Sequence, residues 1–318
     1  MPKLLPVASI SEAVRLSFSD GIARIEKQVT PETFTTVGIV GTGLIGGSFA
    51  LALKRAGLCE RVIAAGRHQS TLLNAKALGV VDEVVSMEYL AKHADLIYIA
   101  VPVKAFSSVF QQLMPHLSED ALICDGGSTK HELIVEVREI MGERIGQFVP
   151  LHPIAGSHQS GAAAARSDLY EDRKLIVTPL RENRIEDIER LVSTWQAIGA
   201  AVYCMDAQLH DRVFAATSHL PHYIGAAYMN SLLTSDDSEL FLMMAGTGFK
   251  DFTRIAASSP EMWSDIFYAN KEAMLVQLND FMQQLEVAKT YLEEGQEEKM
   301  FEWIKRASDT RKNWRLKP

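Results

Sequence analysis

From Phe34 to about Met205 the chain alternates short apolar, β-branched runs with stretches of helical periodicity. Thr36-Val37-Gly38-Ile39-Val40 reads as a buried strand, followed by glycines and then by a helix-like segment from Ser48 to Arg55 that stops at Gly57. Comparable strand runs lie at Arg61–Ala64, Leu96–Val101 and Ala121–Cys124, with further ones at Phe148–Val149, Leu175–Val177 and Ala201–Tyr203. Strands apolar on both faces and alternating with helices predict a parallel, doubly wound α/β sheet. Beyond Asp206 the strand signal stops, and Leu209–Leu233, Glu239–Met244, Pro260–Tyr291 and Glu297–Lys305 predict an all-helical domain. Before Thr33 there is only a weak helical spacing of Ile10, Val14, Phe18 and Ile22. The expected division is an N-terminal extension over 1–33, an α/β domain over 34–205 and a helical domain over 206–318. The stretch from Trp263 through Phe267, Met274, Leu278 and Phe281 to Leu285 is apolar on more than one face, which core packing and a homodimer interface would each explain.

Composition narrows the class without choosing a function. The chain has 318 residues, 47% hydrophobic and 23% charged, an ordinary globular balance with room for two domains. A net charge of −8 and a pI near 5.6 argue against a general nucleic-acid binder. Cys59, Cys124 and Cys204 show no CxxC spacing, so neither a disulfide framework nor a metal site is predicted. The first residues lack the apolar core of a signal peptide, and no stretch approaches the roughly 18 apolar residues of a membrane span. A cytoplasmic protein with no membrane partner is expected.

The first strand leads into Gly41-Thr42-Gly43-Leu44-Ile45-Gly46, which also opens a helix. That context makes a GxGxxG turn a dinucleotide site of the Rossmann type, with Leu44 and Ile45 among its expected cofactor-binding residues and the N-terminus of the helix that follows meeting the phosphates. Gly41 suits the tight turn, Gly43 the approach of pyrophosphate, and Gly46 close helix-to-strand packing. The carboxylate that would hold a ribose 2′-hydroxyl is expected about 20 residues on, where Gly66 stands, and no carboxylate occurs between Arg61 and Val81. Arg67 and Ser70 instead offer a guanidinium and a hydroxyl, which favours NADP over NAD; Arg67 stacking on adenine would serve either. Val101 and Pro102 end the third central strand, where the nicotinamide should lie.

The loops after the following strands carry Ser128, in Asp125–Lys130, and His152, in Leu151–Ser157. Both should open onto the same crevice. An imidazole there suits proton abstraction from a hydroxyl as hydride leaves the same carbon, although position alone leaves a structural loop histidine equally open.

The strings GTGLIGGS, DGGSTK, LHPIAGS, SHLPH and GFKDFTRIAASSPEMW, in this order over about residues 35 to 285, together resemble the prephenate and arogenate dehydrogenase family of tyrosine biosynthesis. The resemblance implies oxidative decarboxylation of prephenate or arogenate with hydride transfer to NAD(P), giving 4-hydroxyphenylpyruvate or tyrosine. It also implies a homodimer formed through the helical domain. By the resemblance His152 falls on the catalytic histidine and Ser128 on the serine that helps hold the substrate hydroxyl. Arg254 matches a carboxylate-binding arginine, His219 a substrate-side histidine, and Ser157 and Trp263 line the pocket. Ile154 stands where the family commonly has Met, and Thr247 where many relatives have Gly. Two alternatives remain at this point: a reductase of the β-hydroxyacid dehydrogenase type, and a non-catalytic NADP-sensing protein. The first would be expected to use a catalytic lysine on the helical domain, whereas here the His152 loop and Arg254 carry the match; Ser128, His152 and Arg254 together weigh against the second.

Overall fold

The computed structural model describes residues 4–7, 9–19, 21–26, 30–156, 159 and 161–315. The chain divides into two compact units, Met1–Asp211 with Ser258–Ala269, and Arg212–Ala257 with Asn270–Pro318.

The first unit holds strands β1 (Leu4–Val7), β2 (Ile22–Ile25), β3 (Phe34–Val40), β4 (Cys59–Ala65), β5 (Glu83–Val84), β6 (Leu96–Ile99), β7 (Leu122–Asp125), β8 (Phe148–Val149), β9 (Leu151–Pro153), β10 (Lys174–Val177) and β11 (Ala201–Cys204). One sheet runs β5-β4-β3-β6-β7-β8 with every pair parallel. Counted from β3, this is the 3-2-1-4-5-6 order of a doubly wound dinucleotide fold, with its switch point between β3 and β6. Alternate side chains feed separate cores on the two faces: on β6, Leu96 and Tyr98 join one, Ile97 and Ile99 the other. The helix Leu44–Ala56 packs Phe49 against Tyr98 and Trp195, with ring centroids 4.4 and 4.8 Å apart, and ends at Gly57, whose φ of 68° needs no Cβ strain.

Two expectations change here. The strands after β8 do not extend the parallel sheet. They form a second, mixed sheet in the order β1-β2-β11-β10-β9, with β9 antiparallel to β10 and β2 antiparallel to β11. The connection from β8 to β9 is a single residue, Pro150, far too short for the crossover that a parallel neighbour requires, so β9 must leave the first sheet. Residues before Thr33, which read as weakly helical, include β1, the helix Ile10–Ser17 and β2, a β-α-β unit that completes this second sheet. The helix was signalled by Ser9, whose hydroxyl accepts the Glu12 N–H at 3.1 Å as its N-cap. The two four-residue strands are too short to show periodicity and exist because β11 gives β2 a partner.

The second unit is helical among its described residues: Leu220–Leu233, Ser238–Met243, Thr247–Thr253, Lys271–Glu293 and Glu297–Asn313, with a π turn at Ala215–His219 and a 3-10 turn at Arg254–Ala257. The predicted helix Pro260–Tyr291 is two helices. Pro260–Ala269 lies in the first unit, and Lys271–Glu293 begins the return to the second. The break falls at Asn270, which is buried and turns its amide to His219 Nδ1 at 3.0 Å. Asn270 is the N-cap residue of Lys271–Glu293, but its side chain serves His219 and makes no cap hydrogen bond to the helix. Among the described residues no helix is long and apolar enough to cross a membrane.

Candidate active site

The dinucleotide turn has the geometry its sequence predicts. Gly41 has a φ of 98°, and a Cβ there would stand 2.3 Å from the Ala100 carbonyl oxygen, so only glycine fits. A Cβ on Gly46 would stand 2.1 Å from the Gly41 oxygen, whereas one on Gly43 would meet nothing within 4 Å. Gly43 therefore borders open space in front of the helix that Leu44 and Ile45 begin, where an anion can reach unpaired N–H groups. Thr42 Oγ1 in the same turn is buried without a hydrogen-bond partner, a polar atom that a bound phosphate or its water would satisfy. These features fit a dinucleotide. The helix is held from behind: Tyr170 Oη donates to the Ile45 carbonyl at 2.6 Å, and Ser48 Oγ accepts the Arg166 N–H at 3.0 Å. Arg67 is exposed in the loop after β4, and Ser70 is exposed in the first turn of the helix Gln69–Ala77, which has no acidic residue. Val101 and Pro102 follow the carboxyl end of β6.

His152 is the middle residue of β9 rather than a loop residue, and it is half-buried. Its strand is tied to the end of β7 by Asp125, whose Oδ1 accepts the Leu151 N–H at 2.8 Å. Asp125 Oδ2 accepts the Gly127 N–H and the Lys130 ammonium, both at 2.8 Å, and Lys130 Nζ also donates to the Gly127 and Thr129 carbonyls at 2.7 and 3.2 Å. Both side chains of this pair are fully buried. Burial pushes the Asp125 carboxyl above its usual range, against the pull of the Lys130 ammonium and the two backbone N–H groups. The pair folds the loop bearing half-buried Ser128 around a fixed point one residue from His152.

Residues that the sequence reading left out complete this region. His152 Nδ1 lies 2.8 Å from His210 Nε2, and His210 Nδ1 lies 2.7 Å from Asp211 Oδ1. Asp211 accepts the backbone N–H groups of Lys130 and His131 on its two oxygens, each at 2.9 Å, and so caps the helix His131–Met141. The signal available was the adjacent His-Asp pair in the helix Ala207–Phe214, but nothing in its spacing connects it to a histidine 58 residues earlier.

Trp263 lies half-buried in the helix Pro260–Ala269 and stacks near Phe267 at 5.5 Å. An ion pair of 2.7 Å between Lys104 and Asp265 seats that helix beside the turn that follows Pro102. Arg254 and His219 belong to the second unit. Arg254 is exposed and forms no ion pair among the described residues. The turn bearing Arg254 packs against the helix Leu220–Leu233 where Gly225 leaves room: a Cβ there would be 3.4 Å from Ile255. His222 on that helix is half-buried, and burial together with the Arg254 guanidinium holds its imidazole below its ordinary pKa. His219 is buried within the π turn, its Nδ1 accepting from Asn270, and π turns often mark functional positions. Ser157 lies outside the described residues.

Two family models match the chain, one described as prephenate dehydrogenase, nucleotide-binding domain, over residues 49–204, the other as prephenate dehydrogenase, dimerization domain, over residues 206–306. Prephenate dehydrogenase of Bacillus subtilis is 34% identical over 87% of this chain and 75% of its own length. Cyclohexadienyl dehydrogenase of Zymomonas mobilis is 32% identical over 87% of this chain and 95% of its own. The crystal structure of Aquifex aeolicus prephenate dehydrogenase in complex with hydroxyphenyl propionate and NAD+ superposes with a TM-score of 0.81 at 35% identity, covering 87% of this chain and 97% of that one.

Proposed function

Because this chain belongs to the prephenate dehydrogenase family, we propose that it oxidises and decarboxylates prephenate or arogenate with NAD(P)+, giving 4-hydroxyphenylpyruvate or tyrosine. The observation that carries the reading is His152 itself. It is fixed on β9, one residue from the Leu151 N–H that Asp125 holds, and its Nδ1 is engaged by His210, which supports Nε2 as the nitrogen that acts as base. Bound NAD(P)+ supplies the hydride acceptor. His152 Nε2 takes the ring hydroxyl proton as hydride departs from the same carbon, and Ser128 holds that hydroxyl in line. The resulting ketone is conjugated to the carbon bearing the ring carboxylate, so its oxygen receives the electron pair when CO2 leaves. The proton on His152 then returns to that oxygen, and the ring becomes aromatic with no net proton released. Arg254 supplies a planar, two-pronged partner for a substrate carboxylate.

The cofactor is NADP in preference to NAD. Arg67, Ser70 and the start of the helix Gln69–Ala77 present cationic and hydroxyl groups where an NAD site would place a carboxylate. The assembly is a homodimer through the helical unit, supported by exposed Leu275, Val276, Met282 and Leu285 along one helix of the region matched by the dimerization model. One assay matrix tests the function: reduction of NADP+ and of NAD+ with prephenate and with arogenate. Turnover of at least one substrate is expected, and Arg67→Ala should lose at least about tenfold in kcat/KM for NADP+ while changing NAD+ little. Turnover of neither substrate contradicts the reading, and a wild-type preference for NAD+ contradicts the cofactor assignment.

A further inference from the structure

We propose that His210 and Asp211 are positioning residues for His152, forming a His152–His210–Asp211 relay that fixes which nitrogen of His152 carries the proton. The inference rests on the reading of His152 as the base, and it adds two residues that act through it.

Asp211 anchors the relay. Its two oxygens accept backbone N–H groups from Lys130 and His131 at the N-terminus of the helix His131–Met141, an environment that keeps a carboxylate ionised. An ionised carboxylate only accepts, so His210 Nδ1, 2.7 Å away, must donate to it. A neutral His210 then presents Nε2 as an acceptor. His152 Nδ1, 2.8 Å from that Nε2, must therefore be the donor. The chain of requirements leaves the lone pair of His152 on Nε2, the tautomer a general base needs. When His152 gains the substrate proton, the positive charge is stabilised through His210 by Asp211, as a carboxylate stabilises an imidazolium in hydrolase triads. His210 is completely buried and Asp211 nearly so, which keeps solvent from screening this charge.

The relay is also braced mechanically. Lys130 donates its backbone N–H to Asp211 and its ammonium to Asp125, and Asp125 in turn holds the Leu151 N–H next to His152. Through these bonds Asp125 and Lys130, with the backbone N–H of His131, tie both ends of the relay to the β7 loop and the helix that follows. A purely structural role would make Asp211 a helix cap and His210 a core side chain, with no bearing on proton transfer.

The two roles separate by experiment on the full chain. In protein labelled with 15N-histidine, the wild-type spectrum should show His152 and His210 each protonated at Nδ1, and Asp211→Asn should disturb the His152 signal. In steady-state kinetics Asp211→Asn should lower kcat by about 10- to 100-fold, with substrate and cofactor KM within about threefold, and shift the acid limb of the kcat profile to lower pH. His210→Gln, whose amide oxygen can still accept from His152 Nδ1, should retain more kcat than His210→Ala. A wild-type His152 protonated at Nε2 overturns the relay. So does an Asp211→Asn enzyme of unchanged kcat, or one whose kcat loss merely follows weakened cofactor binding. If a variant does not fold, the wild-type tautomers still decide. A wild type that oxidises neither prephenate nor arogenate defeats the proposed function instead, and the spectrum tests the relay independently of it.

Discussion

Replacing Lys130 with Met removes one half of a fully buried ion pair and makes a quantitative test of how the site is braced. The ammonium now makes three bonds, to Asp125 Oδ2, the Gly127 carbonyl and the Thr129 carbonyl, at 2.8, 2.7 and 3.2 Å. Met fills similar volume but leaves Asp125 with only the Gly127 and Leu151 N–H groups. An uncompensated buried charge of this kind costs about 3–5 kcal/mol. The exposed pair Lys54–Asp82, 2.7 Å long, is the matched control, and Lys54→Met should cost no more than about 1 kcal/mol. The pH dependence has a definite sign. Burial already raises the Asp125 carboxyl, and removing Lys130 takes away the largest opposing influence. A folded-state pKa above the unfolded one stabilises at low pH and is lost as pH rises, so the penalty should be smaller near about pH 5 than near about pH 8. Asp125→Asn combined with Lys130→Met should lose less than Lys130→Met alone, because no buried charge remains. Urea unfolding followed by circular dichroism at the two pH values measures all of this. A Lys130→Met penalty below about 1 kcal/mol, or one that does not change with pH, would refute the reasoning.

The glycines of the dinucleotide turn should separate folding from binding. Gly41→Ala, with its Cβ 2.3 Å from the Ala100 oxygen, should lower both the melting temperature and cofactor affinity, whereas Gly43→Ala, facing open space, should melt as wild type yet bind cofactor at least about tenfold more weakly by fluorescence titration. Thiol labelling under native conditions should reach Cys59 alone, since burial pushes the Cys204 thiol up to about 12 and that of Cys124 well above its usual value, while Cys59 is only partly buried; rapid native labelling of Cys124 or Cys204 would contradict the packing.

The parallel sheet was legible because its strands are apolar on both faces and its glycine turn obeys steric rules local to a few residues. Gly41 and Gly46 announce themselves: no other residue clears the Ala100 and Gly41 carbonyls. The second sheet was not legible as such. His152 sits in a three-residue strand whose existence depends on β10, more than twenty residues later, and β2 depends on β11. Pairings between short, distant segments leave no periodicity in either one. The same holds for chemistry. Motif matching singled out His152, Ser128 and Arg254, but the contact between His152 and His210, 58 residues apart, is made only by folding. Lys130 was visible as part of a string and not as a buried cation, because burial of a lysine is the exception in sequence terms. The break at Asn270 shows the reverse case, where one buried amide overrides a long helical pattern.

The central claim is that His152 is the base in an oxidative decarboxylation, and a paired measurement on wild type and His152→Asn tests it most directly. Reduced cofactor and CO2 are quantified together with the preferred substrate, and cofactor affinity is measured on both proteins. The account predicts one CO2 per reduced cofactor in the wild type, with kcat lower by about 10²- to 10⁴-fold in His152→Asn and cofactor affinity unchanged. Wild-type turnover without CO2, or a His152→Asn enzyme as fast as wild type, would contradict it.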